Sequence, residues 1–353
     1  MKRDIAFYIV LLLVTMSCNN NDETTAIDTF HSDYYNVNIA PSISNFKVET
    51  EKYIKYVNTF KAQPSASNFS ILQEQWLKTT QAFSKTRVYN MVAVKAQFFD
   101  IIIYNFPVNP TLIENNIEEK ANYDAAYLSS KSTVAKGLAT LEYLLFYNQD
   151  SNKALLMLQE NEFRVNYMLG VAQDVLRQAN LLIEFWEQDY KDVFINATSI
   201  SCTENARCLS FNQVINIMDV IRVTKVGKPA GLEDSSSATI ESLEAFRSGN
   251  SLELIKSTVE EVEHVYTLST VNFSEIVDDI SGNSQISDEI NKTFTEVYRD
   301  IDAINTNLYI AIENEDPNVE ALYNSLFNLV KYFSVDAASI LSVSVLPTDN
   351  DGD

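Results

Sequence analysis

Two histidines, His31 and His264, are all the imidazole this chain has, and that narrows the chemistry open to it. A Ser-His-Asp or Cys-His device would rest on His264, because His31 falls in a polar segment near the start. His264 closes the run Glu260-Glu261-Val262-Glu263-His264, which has the composition of a solvated helix face. No His-Glu-x-x-His pair exists, so the helical zinc-peptidase geometry is absent and no catalytic residue is assigned. The residue that stands out is a carboxylate, Glu142, inside Lys136-Gly137-Leu138-Ala139-Thr140-Leu141-Glu142-Tyr143-Leu144-Leu145-Phe146. Leu138, Ala139, Leu145 and Phe146 lie one turn away, so the surface around it should face a core. An unpaired carboxylate there costs several kcal/mol, roughly, unless it gains a partner or a proton. Two readings stand: an acid of a functional site, or one half of a structural salt bridge. Gly137 costs about 1 kcal/mol against alanine in the same helix, which implies close approach by another helix or a ligand.

A second group surrounds the turn Gly227-Lys228-Pro229-Ala230-Gly231. Arg222, Lys225 and Lys228 precede or occupy it, and Glu244 and Ser248 follow at the spacing of one helical turn. A pocket would form where this turn meets Glu142. Otherwise the basic residues cap a helix C-terminus and Glu244 is solvated. Trp76 reads as a core or interface anchor. The ending Asp349-Asn350-Asp351-Gly352-Asp353 mimics the opening of a calcium loop without its distal glutamate, and reads either as a partner-completed cation site or as a solvated tail.

The elements that must position these residues are helices. Glycine and proline are scarce, seven of each in 353 residues, and apolar residues recur at helical spacing. The longest pattern runs from Glu162 to Trp186. Others cover Phe46 to Ala62, Phe69 to Tyr104, Tyr123 to Tyr147, Phe211 to Val226, Leu252 to Leu268, Ile286 to Ile312 and Val319 to Ser342. Asp316-Pro317 suits an N-cap and first helical position. Ser339 to Leu346 weakly alternates but more simply continues the preceding helix. The expected fold is all-α, two packed helical bundles, residues 46–200 and 201–353, divided near the loop Cys202 to Cys208.

The first residues read as an export signal. Lys2 and Arg3 precede the apolar run Ile5 to Met16, too short to span a bilayer, and Val14-Thr15-Met16-Ser17-Cys18 looks like a lipobox. Residues 1–17 are then a lipoprotein signal peptide, Cys18 carries lipid, and residues 18–45 form a tether to a membrane. Cys202 and Cys208 are left to pair with each other in an oxidising compartment. A formal charge of −22 makes nucleic acid an improbable partner.

Gly137 to Phe146 is similar to the Gly-x-His-x-x-Glu signature of imelysin-like proteins, followed here as there by an aromatic residue, two leucines and another aromatic. Gln75-Trp76-Leu77-Lys78 through Thr86, Lys225 to Leu232 with Leu243 to Ser251, and the ending Asp349 to Asp353 extend the likeness over essentially the whole mature domain. The resemblance implies two packed bundles with a site at their interface, in exported proteins linked to iron uptake, some classed as metallopeptidases. Iron or another divalent cation is the cofactor class it implies. In this chain the signature histidine is Ala139, whose methyl cannot replace a neutral metal ligand, so Glu142 alone is a poor site for zinc or ferrous iron. The expectation is a non-catalytic lipoprotein of a Gram-negative outer membrane, facing periplasm or cell surface. It would bind a small ligand or iron-uptake components through Gly137, Glu142, Arg222, Lys228, Glu244 and Ser248. A divergent metallopeptidase and a structural or adhesive surface lipoprotein are the alternatives.

Overall fold

The computed structural model describes residues 26–233 and 239–350. The expected signal peptide, residues 1–17, and Cys18 lie outside them, as do residues 351–353. The principal helices are α1 (Ala26–Tyr34), α2 (Ala40–Ala62), α3 (Ala66–Thr86), α4 (Gly137–Phe146), α5 (Glu162–Glu184), α6 (Ala206–Val220), α7 (Ser251–Glu263), α8 (Gln285–Ala303) and α9 (Pro317–Lys331). Among the described residues no strand forms beyond an isolated bridge between Thr198 and Asn205. Capping follows the side chains: Ser65, Asn161, Asn205 and Asp316 each accept a backbone N–H at the start of α3, α5, α6 and α9. Pro317 occupies the first position of α9, where its missing N–H costs nothing.

Packing falls into two sets. In the first, α2 lies against α3 and α5, and α5 also covers α4; in the second, α9 packs on α6 and α8, with α7 on α8. The sets meet where α3 lies along α7, and one continuous apolar core runs through both. Cys202 and Cys208 are joined as a disulfide in the connection before α6.

Two expectations are corrected here. Residues 26–45 are not a tether, since Phe30, Tyr34, Tyr35, Ile39 and Ile43 are buried core residues. Phe30 and Tyr34 pack on Phe273, and the Asn38 amide donates to the Val271 carbonyl at 2.9 Å, so this segment ties the chain start to the second set. His31 is buried with it, its Nδ1 3.2 Å from the Ile195 carbonyl oxygen, and burial lowers its pKa. The helix expected from Phe69 to Tyr104 also breaks after Thr86. Arg87–Tyr89 tightens into a 3-10 turn, in which the Arg87 carbonyl accepts the Asn90 N–H and also the Gln213 amide of α6 at 2.8 Å.

The chain end from Val343 is irregular rather than helical, and it is held in place up to Asn350. Asn212 and Asn216 of α6 pair with the backbone at Leu346 and Asp349, and Asp219 accepts from Thr348 and Asn350. The Asp349 carboxylate also meets Lys95.

Candidate functional site

α4 is buried from Gly137 to Leu145, and its placement is fixed at its N-terminal end. Gly137 has φ +77°, and a Cβ there would stand 2.4 Å from the carbonyl oxygen of Ile103, so the close approach is by neighbouring backbone, not by a ligand. The fully buried Trp76 indole donates to the Leu138 carbonyl at 2.9 Å, which makes it the anchor between α3 and α4.

Held this way, Glu142 faces the segment Leu243 to Asn250. Its Oε1 accepts the Ser248 backbone N–H at 2.9 Å, while Oε2 has no hydrogen-bond partner among the described residues. Burial drives the carboxyl up to about 7, against the opposing pull of the Ser248 N–H and the Arg247 guanidinium. The Leu243 to Asn250 segment is a chain of turns, with Ala245 at φ 56° and Gly249 at φ 74°, so Glu244 and Ser248 are not one turn apart on a helix.

Glu244 is the charged centre of the site. Arg87 Nη1 lies 2.7 Å from its Oε1 and Lys225 Nζ 2.6 Å from its Oε2, and all three side chains are largely buried. Burial alone would raise the Glu244 carboxyl, but Lys225 and Arg87 outweigh it and hold it down at about 2. Lys225 reaches inward from Ile221–Gly227, where the α6 axis continues as a π-helix and the 3.6-residue register is lost. The Arg87 guanidinium also sits over the rings of Phe83 and Tyr104, 5.1 and 5.3 Å from their centroids.

These residues floor an open cleft of about 400 Å³ between the two helical sets. Ile101, Phe106 and Pro107 form one apolar wall; Ile217 and Val220 of α6 form the other. A cavity of this size, with apolar walls and a charged floor formed by Arg87, Lys225 and Glu244, has room for a small molecule.

Of the sequence candidates, Glu142, Glu244 and Ser248 come together. Arg222 does not: it turns to α9, donating to the Tyr323 hydroxyl at 2.6 Å and pairing with Asp219 at 2.9 Å. Lys228 is half-buried past the π segment and does not line the cleft. Gly137 serves packing. The residues the sequence reading did not single out are Arg87, Tyr104, Lys225 as the partner of Glu244, and Arg247. The one signal they carried was a basic residue beside aromatic ones in an acidic chain, at Arg87-Val88-Tyr89 and Phe246-Arg247.

The chain belongs to the imelysin family: a peptidase-family model described as Imelysin matches residues 39–331. Among solved structures, an imelysin-like protein from Psychrobacter arcticus 273-4 is similar, at 17% identity and a TM-score of 0.75, covering 91% of this chain and 96% of that one. A putative iron-regulated protein A precursor from Parabacteroides distasonis ATCC 8503 is similar at 14% identity and a TM-score of 0.72, covering 89% and 94%. At these identities the likeness is one of fold. No curated protein matches.

The peptidase name raises a metal, and the residues present do not fit one. Ala139 offers a methyl, Glu142 has one oxygen on a backbone N–H and an arginine nearby, and each oxygen of Glu244 faces a cation. Among the described residues no three of His, Cys, Asp and Glu converge as a ligand set.

Proposed function

We propose that this protein is a lipid-anchored binding protein of the outer membrane that holds a small ligand connected with iron acquisition in the cleft between its helical sets, without making or breaking bonds. The observation that carries the reading is the Arg87–Glu244–Lys225 cluster on the floor of the cleft. Its charges are already paired, so it is built to orient a ligand rather than to activate water or attack a carbonyl. The name of the Parabacteroides distasonis neighbour supports the connection with iron. The lipobox-like Val14 to Cys18 supports the anchor, and Cys18→Ser is expected to release the protein from the membrane fraction.

Metal analysis of the protein beginning after Cys18 tests the absence of catalysis. The expected result is far less than one transition-metal ion per chain after dialysis. One tightly held ion, lost in Glu142→Ala together with proteolysis of unfolded substrates, would replace this reading with a metallopeptidase.

A further inference from the structure

Behind the floor of the cleft lies a second set of polar atoms that the Arg87–Glu244–Lys225 cluster does not use. Tyr104, at the end of the short helix Phe99–Ile103, lines the cleft, yet its hydroxyl is buried and has no hydrogen-bond partner among the described residues. The same holds for Nε and Nη1 of Arg247 and for Oε2 of Glu142. The three side chains are 4%, 8% and 0% exposed. They also act on one another: the Arg247 charge bears on Glu142 and Tyr104, and the Glu142 charge on Tyr104. Buried donors and acceptors are rarely left unmatched, and several in one place mark where a polar guest completes the bonding.

Their chemistry selects the guest. Burial beside Glu244 and Glu142 keeps Tyr104 protonated and hence a donor. Arg247 presents two further N–H groups, on Nε and Nη1, each able to donate to an anionic oxygen. Four cations, Arg87, Lys225, Arg247 and the Lys95 that pairs with Asp349, stand against the carboxylates of Glu244, Asp100 and Asp349, so with Glu142 protonated the region carries one surplus positive charge. A metal cation would meet that surplus, whereas an anion cancels it. Asp100 on the cleft wall, with one oxygen likewise unpartnered, suits a hydroxyl elsewhere on the same molecule.

We infer that Tyr104, Arg247 and Glu142 form an inner subsite that receives the carboxylate of the ligand held in the cleft, its apolar body resting between Phe106 and Ile217. The inference rests on the binding reading above and names the chemical class it takes: a small organic carboxylate. Tyr104 is the residue both compartments share. When the carboxylate enters, Glu142 keeps its proton and donates it in a hydrogen bond, so binding raises the proton affinity of Glu142.

Formate, the smallest carboxylate, is the probe. In protein carrying ¹³C-labelled glutamate, the carboxyl resonance missing from Glu142→Gln reports the titration of Glu142. Replacing chloride by formate at equal ionic strength is expected to move its midpoint upward by about half a unit, roughly a threefold gain in proton affinity. Tyr104→Phe and Arg247→Gln, each folded by circular dichroism, are expected to weaken the formate effect about tenfold. Equal midpoints in formate and chloride, or an undiminished formate effect in both variants, would overturn the subsite. Val220→Trp, which fills the outer cleft, separates the two claims. If it expels a bound molecule while formate has no effect on the wild type, the subsite is wrong and the binding reading stands. If formate acts in both proteins and neither binds a molecule in the cleft, the subsite stands without that reading.

Discussion

At the scale of single residues, two buried glutamates with opposite surroundings set the pH behaviour. Glu142 has its carboxyl raised from 4.5 to about 7, so between those values the folded protein holds a proton that the unfolded chain has lost. Its contribution is present in full below pH 4.5 and is lost as pH rises to about 7, a change of about 3 kcal/mol. Glu142→Gln keeps an oxygen for the Ser248 N–H and is expected to flatten that slope, as read by urea unfolding across the same range. Glu244 is held down to about 2, so its contribution is present above pH 4.5 and lost as pH falls toward 2. Glu244→Ala strands Arg87 and Lys225 as buried cations and is expected to cost about 3–5 kcal/mol at neutral pH; loss of less than about 1 kcal/mol in the same unfolding assay would show the cluster to be hydrated. The burial of Glu142 was legible because every neighbour one turn away is apolar. Its partners were not, because Arg87, Tyr104 and Arg247 come from segments far apart in the chain and carry no periodic signal.

Among the elements, α5 follows its expected span most closely, whereas the pattern read from Tyr123 to Tyr147 is broken before Gly137, the residue that lets α4 dock. Gly137→Ala adds a Cβ 2.4 Å from the Ile103 carbonyl oxygen at a φ that alanine disfavours, and is expected to destabilise the protein by about 3 kcal/mol or more in thermal unfolding. A glycine conserving only helix entropy would cost nothing on that change. Helix starts were readable where a side chain caps them, as at Asp316-Pro317. Interruptions were less so. α3 ends at Thr86 in a 3-10 turn whose Arg87 carbonyl also meets Gln213 from another helix, and the π segments Ile221–Gly227 and His264–Leu268 leave the apolar pattern intact while changing which residues face inward. That change of register is why Lys225, not Arg222 or Lys228, meets Glu244.

Over the described residues, two helical sets share one core, and the stretch from Phe30 to Ile43 belongs to it. A polar run with interspersed aromatics, Asp28 to Asn45, reads as a linker until its partners on the second set are known. A protein beginning at Phe46 would expose the surfaces that Phe30, Tyr34 and Ile39 cover, and is expected to lose cooperative unfolding or aggregate, whereas one beginning at Ala26 unfolds cooperatively. The same shared core creates the cleft, whose floor draws Arg87 from the end of α3, Lys225 from the continuation of α6 and Glu244 from the turns before α7. The claim that this cleft holds a small molecule is tested most directly by native mass spectrometry of the protein isolated from its own cells, beside Val220→Trp. The account predicts a mass increment on the native wild-type chain that disappears on unfolding and is absent from the variant. A wild-type chain that carries no increment, or an increment that Val220→Trp retains in full, would contradict it.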